Sequence, residues 1–156
     1  MKLDDDKAFV RHLFRHYFLI ASNTMMRSGE LFGLKWKNVE QHKDNLALIT
    51  VEADTSKVRK ARVFVARGWE HFERLKKMSK HTKKDDYVFT DMNGNNWHKH
   101  NRRALDYQYH SLMRRVGITD WKERKLTLYS LRHYGITKRL ENGVSNLTQF
   151  ALDCGT

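Results

Sequence analysis

The sequence predicts a mainly α-helical domain with a small antiparallel β-sheet, an α+β fold, on three observations. Apolar residues recur at helical spacing in several segments, as at Phe9, Leu13, Phe14 and Tyr17. Two short runs rich in Val, Ile and Thr flank a polar, basic stretch near the middle of the chain. The 156 residues, 40% of them hydrophobic, suffice for one compact core and are short for two.

The elements follow in order. A first helix is expected over about residues 5–21, with Asp4, Asp5 and Asp6 at its N-terminus, where carboxylates suit the positive end of the helix dipole. A short second helix begins near Arg27 and carries Leu31 and Leu34, and Trp36 and Val39 pack its exit. Leu46–Glu52 and Ala61–Ala66 read as a β-hairpin whose tip, Asp54–Lys60, is charged. Trp69, Phe72 and Leu75 restore the helical period, and a basic exit leads to the short apolar piece Tyr87-Val88-Phe89 and the turn cluster Asn93-Gly94-Asn95-Asn96. A helix from about His98 to Val116 buries Leu105, Tyr109, Leu112, Met113 and Val116 on one face, and Gly117 closes it. Ser130–Glu141 is a helix stopped by Asn142-Gly143, and Asn146 caps a last short helix carrying Leu147, Phe150 and Ala151.

With 30 Lys and Arg against 18 Asp and Glu, the formal net charge is +12. A surplus that large favours a polyanionic partner, because each neutralised phosphate of a nucleic acid releases condensed counterions. The single cysteine, Cys154, excludes an internal disulfide and a cysteine-rich metal site and fits a reducing, cytoplasmic setting. The apolar stretch Phe9–Ala21 is broken by Arg11, His12, Arg15 and His16, so neither a signal peptide nor a membrane span is expected. The pairs His12/His16 and His98/His100 lack a third ligand nearby and read as ordinary surface or partly buried histidines.

Three cations stand where structure alone does not ask for them. Arg27 and Arg132 each begin a helix, the end where the dipole disfavours a cation, and Lys57 lies at the hairpin tip. An arginine beside helix amides suits an anion, because its planar fork holds two oxygens and remains charged at any working pH. The run His98-Lys99-His100-Asn101-Arg102-Arg103 reads as a phosphate contact, with Lys99, Arg102 and Arg103 as its cations.

The context of these residues resembles a known family. Thr24-Met25-Met26-Arg27-Ser28-Gly29-Glu30-Leu31, followed by Leu34-Lys35-Trp36-Lys37-Asn38-Val39, is similar to the first arginine box of tyrosine recombinases of the phage-integrase type, TGxRxGEL then LxWxDV. Ser56-Lys57-Val58-Arg59-Lys60-Ala61-Arg62 resembles the hairpin that carries the family's lysine, and Leu128-Tyr129-Ser130-Leu131-Arg132-His133-Tyr134 resembles the second box, HxLRHT. The boxes occur in the family's order.

The resemblance implies a catalytic domain for site-specific DNA recombination or integration, as in a phage or mobile element, acting on double-stranded DNA without metal or cofactor. Arg27 and Arg132 would neutralise the scissile phosphate, Glu30 would support Arg27, and Lys57 would be the general acid. His133 would orient Arg132 or the phosphate, and Arg59 and Lys60 would grip DNA beside Lys57. Two departures stand out. Tyr129 occupies a position where the family has histidine, which leaves it a phosphate contact and not a base, and Thr156 stands where the family's LGHS box has histidine. The six tyrosines match no nucleophile segment, so residues 1–156 are expected to form one catalytic-domain fragment, monomeric and inactive by itself. Its DNA-clamping domain and nucleophile would lie outside the chain, and the full-length protein would be oligomeric on DNA. A non-catalytic basic DNA-binding module and a type IB topoisomerase-like nicking and closing enzyme remain alternatives.

Overall fold

The structure, a computed structural model, describes residues 2–56, 59–96 and 102–155, with side chains at 6–56, 59–96 and 103–155. Helix α1 (Lys2–Thr24) leads into the short α2 (Ser28–Gly33), and a 3-10 turn at Trp36–Asn38 precedes strand β1 (Val39–Gln41). Strands β2 (Leu46–Val51) and β3 (Arg62–Arg67) follow, then α3 (Trp69–Met78), α4 (Arg102–Arg115), α5 (Ser130–Glu141) and α6 (Leu147–Cys154). The mainly helical fold with a small antiparallel sheet agrees with the sequence.

Helix α1 is the spine. Its apolar stripe of Leu13, Phe14, Tyr17, Ile20 and Ala21 is buried, and α3, α4, α5 and β3 all pack on it. Tyr17 stacks on Phe32 of α2, with ring centroids 5.2 Å apart, and meets Phe89 edge-on at the same distance. This joins the second helix and the 87–89 piece to the spine. The helix begins at Lys2 and ends at Thr24, longer at both ends than expected, so Asp4, Asp5 and Asp6 lie within it and not before it. The aspartates remain in its first turns, where the dipole tolerates them.

The sheet order is β1-β2-β3, all antiparallel. Ala47, Ile49 and Val51 of β2 and Phe64 and Ala66 of β3 face the core, and the register sets Ile49 opposite Phe64 and Ala47 opposite Ala66. The hairpin was legible in the sequence, with its second strand displaced by one residue. Strand β1 was not, because three residues with two polar side chains carry no period of their own and are defined by pairing Val39 with Ile49.

Helix ends follow their side chains. Gly117, at φ +78°, ends α4 in a Schellman motif, with the Ile118 amide bonding Met113 O and the Gly117 amide bonding Arg114 O. Within α4, Leu105, Tyr109 and Met113 are buried as expected, whereas Val116 lies past the helix end and is exposed. The expected segment 98–101 lies outside the described residues. The Asn146 side chain accepts the Gln149 amide at 2.9 Å and so caps α6. Leu147 is nevertheless 64% exposed, so the core side of α6 is set by Cys154.

Candidate active site

The chain turns sharply between α1 and α2. Met25 adopts a left-handed conformation, φ +55°, although it is not glycine, and is buried. This turn aims its carbonyl at α5, where the guanidinium of Arg132 donates to it through NH1. Two residues on, Arg27 is the N-cap of α2, and its backbone amide donates to Glu30 Oε2 at 2.9 Å. That bond is half of a capping box. Its guanidinium donates to Glu30 Oε1 at 3.3 Å and to Gly155 O at 2.7 Å. Gly155 follows α6, whose C-terminal carbonyls carry the negative end of a helix dipole, so a cation is well placed there.

Glu30 is 2% exposed, yet it is ionised in good company. Arg62, the first residue of β3, donates to its two oxygens at 3.0 and 2.7 Å and to Asp153 O through Nε at 3.0 Å. Burial by itself would push the Glu30 carboxyl up; the Arg62 fork, the Arg27 amide and the two guanidinium charges outweigh it and hold the carboxyl below its usual range.

Gly155 closes the cluster from above. It lies at φ +73°, and a Cβ there would come within 2.8 Å of the Arg62 guanidinium and 3.1 Å of Arg27 NH1. Its neighbour Cys154 is buried, with its sulfur 4.0 Å from that of Met25. Burial pushes the thiol up, and the charges of Arg132 and Arg62 act on it in the opposite sense. Arg27, Arg62 and Arg132, from three separate parts of the chain, thus meet around the Met25–Arg27 turn and the end of α6, Arg27 and Arg62 on the Glu30 carboxylate and Arg132 on the Met25 carbonyl.

Arg132 is 4% exposed, and no carboxylate pairs with it among the described residues. A guanidinium has five N–H donors, and a single carbonyl leaves most of them without an acceptor. None of the other Arg132 nitrogens is buried without a partner, so they reach the surface, where an anion can meet them. Three guanidiniums against one carboxylate make a site suited to a phosphate, held by forked hydrogen bonds.

The remaining expected residues distribute as follows. Tyr129, the residue before α5, is 41% exposed, and its ring meets that of His133 edge-on, with centroids 5.0 Å apart. His133 is exposed, and the acceptor that orients Arg132 is the Met25 carbonyl. Arg59 and Lys60 are exposed on the hairpin, and Lys60 lines a cleft of about 290 Å³ with Arg62 and Gly155. Arg103 is exposed on α4. Lys57 and Lys99 lie outside the described residues, as does the side chain of Arg102. Arg62 was missed as a site residue by sequence reasoning. A usable signal existed: an acid on the apolar side of a short helix is buried, and a buried acid needs a cation from elsewhere.

The histidine expectations divide. His98 and His100 lie outside the described residues. His16 is buried, and its ring centroid is 5.6 Å from that of His71 on α3, a partner far along the chain that the i, i+4 spacing with His12 does not reveal. Among the described residues no group of three or more His, Cys, Asp or Glu is placed to hold a metal, and no helix is long and apolar enough to cross a membrane.

Comparison with known proteins bears on the family and the fold. No curated protein sequence matches the chain significantly. Two solved structures share its fold: XerH site-specific recombinase bound to difH substrate in a pre-cleavage complex, and the same recombinase bound to palindromic difH substrate in a post-cleavage complex. Each is 20% identical with a TM-score of 0.68 over 96% of this chain, which spans 40% of the length of those recombinases. The phage integrase family matches over residues 3–148, nearly the whole sequence and all three boxes, and the chain therefore belongs to the phage integrase family, the tyrosine recombinases.

Proposed function

We propose that this chain is the phosphate-binding catalytic unit of a site-specific DNA recombinase that works through a 3′-phosphotyrosyl intermediate. The observation that carries the reading is the excess of cation in one place: Arg27 and Arg62 share Glu30, and buried Arg132, held on the Met25 carbonyl, has no carboxylate partner among the described residues. A DNA phosphate supplies the missing anion, and family membership supplies the chemistry.

In this reading Arg27 and Arg132 fork the two non-bridging oxygens of the scissile phosphate. They act most strongly as negative charge grows there in the transition state, an effect on the order of several kcal/mol. Glu30 and Arg62 hold Arg27 in place. The attacking tyrosine is supplied from outside these 156 residues. Its oxygen loses its proton to solvent and bonds to phosphorus as the bond to the 5′-oxygen breaks, and Lys57 gives that departing oxygen a proton. The ester so formed keeps the bond energy for the return attack of a 5′-hydroxyl from a partner strand. Tyr129 and His133 contact the phosphate from the exposed start of α5, and Arg59, Lys60, Lys99, Arg102 and Arg103 grip the flanking backbone.

The test is a nicked suicide duplex incubated with the 156-residue chain and with a version extended to a downstream tyrosine, run on a denaturing gel. A covalent band from the extended version only is the expected result. A band from the 156-residue chain would put the nucleophile among its own tyrosines. No band from either would leave a non-catalytic DNA-binding module.

A further inference from the structure

A second basic cleft lies at the far end of the elements that build the arginine cluster. It is about 480 Å³ in volume, lies between the C-terminal end of α1, the end of β3 and the second half of α5, and presents Arg67, Lys138 and Arg139. Asn23, Tyr134 and Asn142 add amide and hydroxyl groups. Among the described residues no carboxylate lines it. Lys138 is bonded to Glu141 at 2.6 Å, whereas Arg67 and Arg139 are exposed and have no ion pair among the described residues. Glu141 offsets the charge of Lys138, whereas among the described residues no carboxylate offsets Arg67 or Arg139, and the polar lining offers neutral donors between them.

The cleft is aligned with the arginine cluster. Arg132 and Arg139 are seven residues apart on α5, two turns along one stripe of the helix and about 10 Å apart along its axis. Arg62 and Arg67 open and close β3, about 17 Å apart and on opposite faces of the strand, so the alignment runs along α5 and not along β3. The Cys154 thiol beside the cluster also lies within electrostatic reach of Arg139. Between the two cation groups, buried Gly135 packs α5 against α1 so closely that a Cβ there would clash with Ser22 O, so backbone and not side chain closes the inner end of the cleft. A spacing of about 10 Å along α5 corresponds to roughly three steps of a duplex with 3.4 Å rise.

We infer that Arg67, Lys138 and Arg139 form a second phosphate-binding site, which holds the backbone of the same duplex whose scissile phosphate sits at Arg27 and Arg132. The inference rests on the DNA reading above and extends it to residues outside the family's boxes. The site reads charge and spacing and not bases, since backbone contacts fix register and carry no sequence information of their own. Its effect is to set the duplex in one orientation along α5.

The experiment measures affinity of the 156-residue chain for a labelled random-sequence duplex over a series of salt concentrations. Each phosphate contact contributes about 0.9 to the slope of log K against log salt. The double variant Arg67→Ala/Arg139→Ala is therefore expected to bind more weakly with a slope shallower by about 1.8, while Arg67→Lys/Arg139→Lys keeps the slope of the unsubstituted chain. A control, Lys43→Ala/Lys80→Ala, removes the same charge from exposed positions elsewhere and is expected to leave the slope nearly unchanged. A slope unaltered in the double alanine variant, or altered equally in the control, overturns this site while leaving the DNA reading intact. Absence of salt-sensitive duplex binding by the unsubstituted chain overturns both.

Discussion

Glu30 and Arg62 face each other as a bidentate pair, 3.0 and 2.7 Å between their hydrogen-bonded atoms, with the carboxylate almost wholly out of water. The pair ties a six-residue helix to the first residue of an edge strand, and Arg62 reaches on to Asp153 O at the end of α6. Three elements are thereby held in one arrangement around Arg27.

Replacing Arg62 by alanine leaves a buried carboxylate with Arg27 alone. Removing one partner of a buried pair costs about 3–5 kcal/mol, and the low end is expected here because the Arg27 amide and guanidinium remain. Arg62→Lys keeps one charged bond and loses less. Urea denaturation followed by circular dichroism measures both, and equal stability of Arg62→Ala and the unsubstituted chain would refute a structural role for the pair.

Gly135 and Gly29 predict opposite responses to alanine. At Gly135 the added methyl meets Ser22 O at 2.3 Å and Met25 Cγ at 2.9 Å, so α1 and α5 must separate, a loss of about 1–3 kcal/mol. At Gly29, in α2, nothing lies within 4 Å, and alanine is expected to stabilise by up to about 1 kcal/mol. Midpoints of urea unfolding compare the two directly.

Acid should weaken the fold in two overlapping steps. Burial, the His71 ring and the charges of Arg15, Arg74 and His12 lower the His16 pKa to about 4 from an ordinary 6.5. The unfolded state then binds the proton more readily, and stability falls as pH drops from about 6.5 to about 4, by at most about 3 kcal/mol. Glu30, whose carboxyl is held low in the folded state, contributes stability present above its ordinary 4.5 and lost as pH falls through its folded value. A His16→Gln variant should flatten the upper step only. If its stability between pH 6.5 and 4 falls as steeply as that of the unsubstituted chain, His16 is not the source.

Arg132 should matter for both fold and ligand. Arg132→Ala removes the donor to Met25 O and leaves that buried carbonyl without it, a cost of about 1–3 kcal/mol. Duplex affinity is expected to fall, with a salt slope shallower by about 0.9. Arg132→Lys should recover most of the slope without the forked geometry. Unchanged duplex binding by Arg132→Ala would remove this residue from the DNA interface.

What the sequence determined by itself is everything local. Periodicity placed α1, α3 and α4, runs of Val, Ile and Thr placed the hairpin, glycine and asparagine marked the ends of α4, α5 and α6, and Arg27 stood out at a helix start because the dipole disfavours a cation there. Three matters were decided only by tertiary structure. Strand β1 exists because Val39 pairs with Ile49, and three residues have no period to read. The pairing of His16 with His71 depends on how α3 crosses α1, which no spacing encodes. The third arginine, Arg62, joins Arg27 and Arg132 because a buried carboxylate draws in a cation from 32 residues away along the chain. Hydrogen-bond donors and charges act over a few ångströms of space, whereas sequence patterns report only neighbours on one element, and a site assembled from α2, β3, α5 and the end of α6 therefore becomes visible only once those elements are packed.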